Sequence, residues 1–230
     1  MTPHSADHVP VHVHARIVDV RFDSHRVLLE LDDGRTLGAP LSWASRAAQL
    51  PESQQRRWVL VDHGRGVNWP ALGQEDPEGA LSLWTIEQDR LYEGALAVLQ
   101  RADWDAGALS ARDRELVALW RLEADVYNGG FLQFLGNWGQ QDLAIARDAA
   151  ELIGAERTHS AIVGLQDLLE PIIDRDDVST IDDVYRLIAA ASPTEPAAQF
   201  DELETELTEA MEQELMRCVV FAYGPAPSDV

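Results

Sequence analysis

Side chains able to do chemistry are present in this chain, but few of them stand together. The densest polar group is Glu123, Gln133 and Asn137, a carboxylate within an apolar helical stripe and two amides four residues apart just beyond it. Such a set could form a polar pocket with Glu123 as general base. A carboxylate inside an apolar stripe is costly unless hydrogen-bond donors reach it, so Glu123 is read as part of a scaffold corner rather than of an active site. His4, His8, His12 and His14 crowd the N-terminal tail, yet no carboxylate or cysteine completes a ligand set, and no metal site is assigned. Asp62 and His63 fall in a turn. Ser160 lies in mid-helix with His159 on another face, and Cys218 sits among Leu215, Val219 and Val220 as helical core. Glycine-rich phosphate loops are absent, since Gly34, Gly64 and Gly66 belong to hairpins. The expectation is no catalytic residue, no metal and no cofactor.

The elements that position Glu123 form a helical corner. Ser110, with Asp113 three residues on, opens a helix like a capping box. Leu116, Leu119, Trp120, Val126 and Tyr127 recur on one face at three- and four-residue steps, and Glu123 shares that face. Asn128, Gly129 and Gly130 stop the helix, being residues that tolerate left-handed backbone. A second helix follows at once, with Phe131, Phe134, Leu135 and Trp138 on its inner face and Gln133 and Asn137 stacked outside. Its first N–H groups lack helical partners, and Glu123 is expected to fold under the corner and accept them.

The arrangement Glu123-x-x-x-x-Asn128-Gly129-Gly130-Phe131-x-Gln133-Phe134-x-x-Asn137 resembles the signature of the bacterial DNA-mimic protein family. That resemblance covers residues 86–169 well, and continues to 223 by helical pattern and acidity. It implies a compact, acidic, all-helical fold and a role of occupying the DNA-binding face of a transcription factor. The motif speaks for the fold more than for the function, because one fold hosts many activities.

Ahead of this region the period is two rather than 3.6. Strand patterns run over 11–22, 26–31 and 35–41, with Asp32-Asp33-Gly34 as a hairpin turn. A helical segment over 42–57, interrupted near Pro51, precedes two further strands around Asp62-His63-Gly64-Arg65. Asp33-Gly34-Arg35, Pro40-Leu41-x-Trp43, Trp58 and Gly66-Val67-Asn68-Trp69-Pro70 resemble a small bacterial α+β domain family of uncharacterised function, over about 15–83, with Ser45-Arg46 where that family often has Pro-Arg. The expected architecture is therefore an α+β N-terminal domain of short antiparallel strands plus helix, residues 1–84, followed by an all-α domain, residues 85–230. In the second, helices are expected over 86–99, 142–153, 155–169 (stopped before Pro171), 181–190 and 197–223.

Charge completes the reading. The 230 residues carry 40 acids and 18 basic residues, a net charge of −22, and every basic residue is arginine. Residues 1–87 hold 12 acids and 8 arginines, a net of −4, leaving 28 and 10, a net of −18, for 88–230. A field of that sign disfavours nucleic acid and anionic membrane and favours a basic protein surface. On the last helix Phe200, Leu203, Leu207, Met211 and Leu215 form an inner stripe, with Asp201, Glu202, Glu206, Glu209 and Glu212 outside. Asp174, Asp176, Asp177, Asp182 and Asp183 form a second cluster just before it. Carboxylates four residues apart on a helix stand about 6 Å apart along the axis, the scale of neighbouring phosphates on one DNA strand. These ten acids are the expected protein-binding surface. The expected function is a non-enzymatic inhibitor or regulator that binds a basic DNA-binding protein and competes with its DNA. The rival is a two-domain adaptor or antitoxin-like protein whose acidity only solubilises. With no signal-peptide core, no long apolar run and one cysteine, the expected setting is the bacterial cytoplasm, and homodimer formation is compatible with it.

Overall fold

The computed structural model describes residues 15–73, 79–175, 177–191 and 195–224. The chain divides into two compact units, one ending at Glu87 and the other running Gln88–Gly224. The four tail histidines and Asp176 lie outside the described residues.

The first unit is α+β. Strands β1 (Ile17–Phe22), β2 (Arg26–Leu31) and β3 (Thr36–Pro40) form an antiparallel sheet in that order. Alternate residues Val27, Leu29 and Leu31 of β2 are buried, as are Leu37 and Ala39 of β3, so one face makes core while the other meets water. Gly34 takes φ +83 in the β2–β3 turn, as the hairpin requires. Two short helices, α1 (Ser45–Ala48) and α2 (Glu52–Gln55), flank Pro51. A second antiparallel sheet joins β4 (Val59–Val61), β5 (Gly66–Asn68) and β6 (Leu81–Ser82). Residues 81–82 pair as a strand just before the helical region begins. Asp62 and His63 make the β4–β5 turn with positive φ, and the Asp62 carboxylate accepts the Trp84 indole N–H at 2.6 Å.

The second unit is helical, with α4 (Ala111–Gly129), α5 (Phe131–Leu152), α6 (Glu156–Ile173), α7 (Ile181–Ala191) and α8 (Glu195–Ala210) following α3 (Leu83–Arg101). A π-helical turn at Met211–Leu215 continues α8 into α9 (Met216–Tyr223), where a regular helix was expected. Ser110 caps α4 by accepting the Asp113 N–H at 3.1 Å, and its hydroxyl donates to the Asp113 carboxylate at 2.7 Å. Gly139, at φ 72 and ψ −174, interrupts α5, so the expected helix over 142–153 is its second half. Helix α6 passes through Pro171, two residues beyond the expected stop; a proline so near the end forfeits a single backbone bond, and the Asp174 N–H still reaches the Glu170 carbonyl at 3.0 Å. Phe131 and Phe134 are fully buried beside Leu116, Leu119 and Leu122, each aromatic stabilising by roughly 1.5–3 kcal/mol through burial. Two expected core positions are not core: Tyr127 is 50% and Trp138 38% exposed.

Candidate functional site

The corner at Gly130 is built by residues the local motif does not contain. Helix α4 continues through Gly129, and only Gly130, at φ 87, leaves the helix. Neither α5 nor α6 carries a side-chain cap of its own. The first N–H of α5, from Phe131, donates instead to Glu204 Oε1 at 2.7 Å, across from α8. Glycine is favoured here by φ, and a Cβ on Gly130, 2.5 Å from that same oxygen, would push the Glu204 cap aside. Glu214, farther along the same helical column, accepts the Arg157 and Thr158 N–H groups at 3.0 and 3.2 Å and so caps α6. The expected corner acceptor, Glu123, does neither. The reason is geometric: Glu123 is about two turns back from the corner, and its carboxylate points to α3 instead.

There the Gln88 amide donates to both Glu123 oxygens at 3.2 and 3.0 Å and also to the Tyr92 hydroxyl at 3.2 Å. The Tyr92 hydroxyl also acts on Glu123. The donors are neutral, and burial pushes the Glu123 carboxyl up to about 7 against the opposing pull of Tyr92 and Gln88. Burial and the Glu123 charge raise Tyr92, and burial with Glu123 and Glu212 raises Tyr127. Because the folded state holds this proton more tightly than the unfolded chain, its stabilising effect is full below the ordinary value of 4.5 and is lost as pH rises through about 7. Glu123→Gln, a neutral mimic of the protonated acid, is expected to gain on wild type between pH 5 and pH 8 by about 2 kcal/mol. Urea midpoints measured across that range test this; parallel pH profiles would contradict it.

The other polar residues of the motif gather on Asp125. Its carboxylate accepts from Gln133 Nε2 at 2.8 Å, from Asn137 Nδ2 at 3.1 Å and from Trp138 Nε1 at 2.6 Å. The Trp138 ring lies 3.8 Å from the guanidinium of Arg121, which is paired with Asp142. Glu123, Gln133 and Asn137 therefore do not converge, because Gln133 and Asn137 serve Asp125 while Glu123 serves α3. Asn128 is exposed.

Of the proposed acidic surface, the structure separates acids already engaged from acids facing water. Asp183 caps α7: the Ser179 N–H, followed by the Thr180 hydroxyl and N–H, holds it well below the usual carboxylate range. Asp177 is paired with Arg175 at 2.8 Å. Glu206 is paired with Arg157 at 2.7 Å. Asp174, Asp182, Asp201, Glu202, Glu209 and Glu212 are exposed and have no ion pair among the described residues. The inner stripe is as expected, with Leu207, Met211 and Leu215 fully buried. Asp201, Glu202, Glu209 and Glu212 therefore occupy one outward sector, about a quarter of the helix circumference at 100° per residue, and a shallow depression lies against Asp201, Glu202, Glu206 and Glu209.

Sequence reasoning missed Glu204, Glu214, Asp125 and Arg121. The two caps lay in view as members of the acidic run, but nothing local separates a capping glutamate from a solvated one. Glu204→Ala is expected to lower stability by about 1–2 kcal/mol by stranding the Phe131 N–H. A wild-type urea midpoint for that variant would show that water replaces the cap at no cost.

Among the described residues no helix is long and apolar enough to cross a membrane. A family model described as DMP19-like protein matches residues 107–223. Residues 17–75 match a second model, described as a protein of unknown function (DUF2442). No curated protein and no solved structure matches the chain.

Proposed function

Because the chain belongs to the DMP19-like protein family, we propose that it is a non-enzymatic DNA-mimic-like protein that binds a basic DNA-binding protein, a transcription factor or another, and competes with that protein's DNA. The observation that carries this reading is the row of exposed, ion-pair-free carboxylates along α8 and the π-helical turn that continues it, Asp201, Glu202, Glu209 and Glu212, whose other face is core. Like charges left clustered cost stability, and soluble proteins usually intersperse both signs unless a field is wanted. Glu204 and Glu214 are acidic for a structural reason; among the described residues the four outward acids cap no helix and form no ion pair. Helix α8 holds them on a rigid rod, so a basic groove meets a fixed pattern of charge at little cost in ordering.

Capture of binding proteins from the native host on the full-length protein, at low and moderate salt, tests the reading. The captured protein is expected to be a basic DNA-binding protein whose complex with its own DNA is dissociated by this chain. Binding should fall steeply with salt, while the protein alone, at net charge −22, should not retard DNA. A partner that binds the chain and DNA together would overturn the proposal.

A further inference from the structure

Helix α5 breaks at Gly139, and a cavity of about 170 Å³ opens between α5 and α6 beside the break. Its floor is apolar: Phe131, Leu143 and Leu169 are core residues and line it. Its rim is acidic, formed by Glu170 in the last turn of α6 and by Asp174, the residue that ends that helix. Both are exposed, and neither has an ion pair among the described residues. Gln140 and Gln166 add amides to the rim, and the Gln166 carbonyl accepts from Arg147 Nη1 at 3.1 Å. Sites for cofactors and drug-sized ligands commonly measure about 300–1,000 Å³, so this cavity suits one side chain.

We infer that the α5–α6 cleft receives an arginine side chain of the basic partner, its methylene stem along Leu135 and Ile173 and its guanidinium between the Glu170 and Asp174 carboxylates. This rests on the proposed function, which supplies a basic partner, and extends it from a charged face to a shaped pocket. Two considerations select the occupant. An apolar residue would bring no counter-charge to the two carboxylates. A lysine ammonium is compact and strongly hydrated, whereas a guanidinium is planar, weakly hydrated and forked to meet two carboxylates. A side chain seated this way would fix the register of the partner, which long-range charge alone does not do.

The probe is N-acetyl-arginine methylamide, titrated into full-length, methyl-labelled protein and followed by NMR, with the lysine analogue and guanidinium chloride as comparisons. Saturable shifts are expected at the methyls of Leu135, Leu143, Leu169 and Ile173, with at least fivefold weaker response to the lysine analogue and to guanidinium. Glu170→Gln with Asp174→Asn should weaken the arginine response at least fivefold and leave the melting temperature unchanged. The response should persist when Asp201, Glu202 and Glu209 are neutralised, which separates the cleft from the α8 face. Shifts scattered over the acidic surface, equal response to lysine, or an unaltered response in the rim variant would each overturn the inference. Cleft shifts in a protein that fails to compete with any partner's DNA would sink the proposed function and leave the cleft's preference for arginine standing. A rim variant that competes as well as wild type would do the reverse.

Discussion

Asp142→Ala is expected to lower the stability of the helical unit by about 3–5 kcal/mol, more than the loss of any helix cap. The Arg121 side chain is only 10% exposed and that of Asp142 13%, so this ion pair lies almost wholly inside the protein. Removing the carboxylate leaves a guanidinium whose Nε already lacks an acceptor and whose remaining support is the face of Trp138. Truncating one partner of a buried pair is far worse than never having had the pair, because the surviving charge must stay desolvated. The double change Arg121→Leu with Asp142→Leu should therefore cost less than Asp142→Ala alone, and a double-mutant cycle should show strong coupling. Urea unfolding followed by far-ultraviolet circular dichroism reads all three variants. An Asp142→Ala protein within about 1 kcal/mol of wild type would mean that water reaches Arg121 and replaces its partner.

Neutralising the outward face of α8 with Asp201→Asn, Glu202→Gln and Glu209→Gln is expected to cost on the order of a hundredfold in affinity for the basic partner. Charges that meet Arg or Lys across an interface commonly matter by about 1 kcal/mol or more each, and three such losses make roughly two decades. The melting temperature should stay level or rise slightly, since each change removes like-charge repulsion and leaves the helix sound. Glu206 belongs in a separate experiment. Its carboxylate holds Arg157, which also donates to Gln213 at 2.8 Å, so Glu206→Gln would release a cation into the face as well as removing an anion. Isothermal titration at low salt decides the matter. If the triple variant binds the captured partner as tightly as wild type, α8 is not the surface that imitates phosphates.

Much of this protein was legible along the chain because local physics writes it there. The alternation of Val27, Leu29 and Leu31 specifies a half-buried strand, and Gly34 its turn. The spacing of Leu207, Met211 and Leu215 specifies the inner stripe of the last helix, and with it which acids face outward. Ser110 and Asp113 announce a helix start, because a cap three residues long can be read three residues at a time. Gly130 announces a helix end for the same reason. The charge imbalance between residues 1–87 and 88–230 is likewise a property of the sequence alone.

Tertiary structure decided where each polar side chain spends its charge. Glu123 sits five residues before Asn128 yet bonds to Gln88, and the N–H at the corner donates to Glu204, 73 residues beyond Phe131. Asp183 and Glu206 read as members of a uniform acidic tract, but one is a cap and the other a counter-ion. Trp138 reads as core and is instead stacked on Arg121 and bonded to Asp125. Periodicity registers which way a side chain points from its own helix, and burial follows from that. A hydrogen bond or ion pair also needs a second group within about 3 Å, and that group is delivered by the packing of another helix, whose position no local pattern encodes.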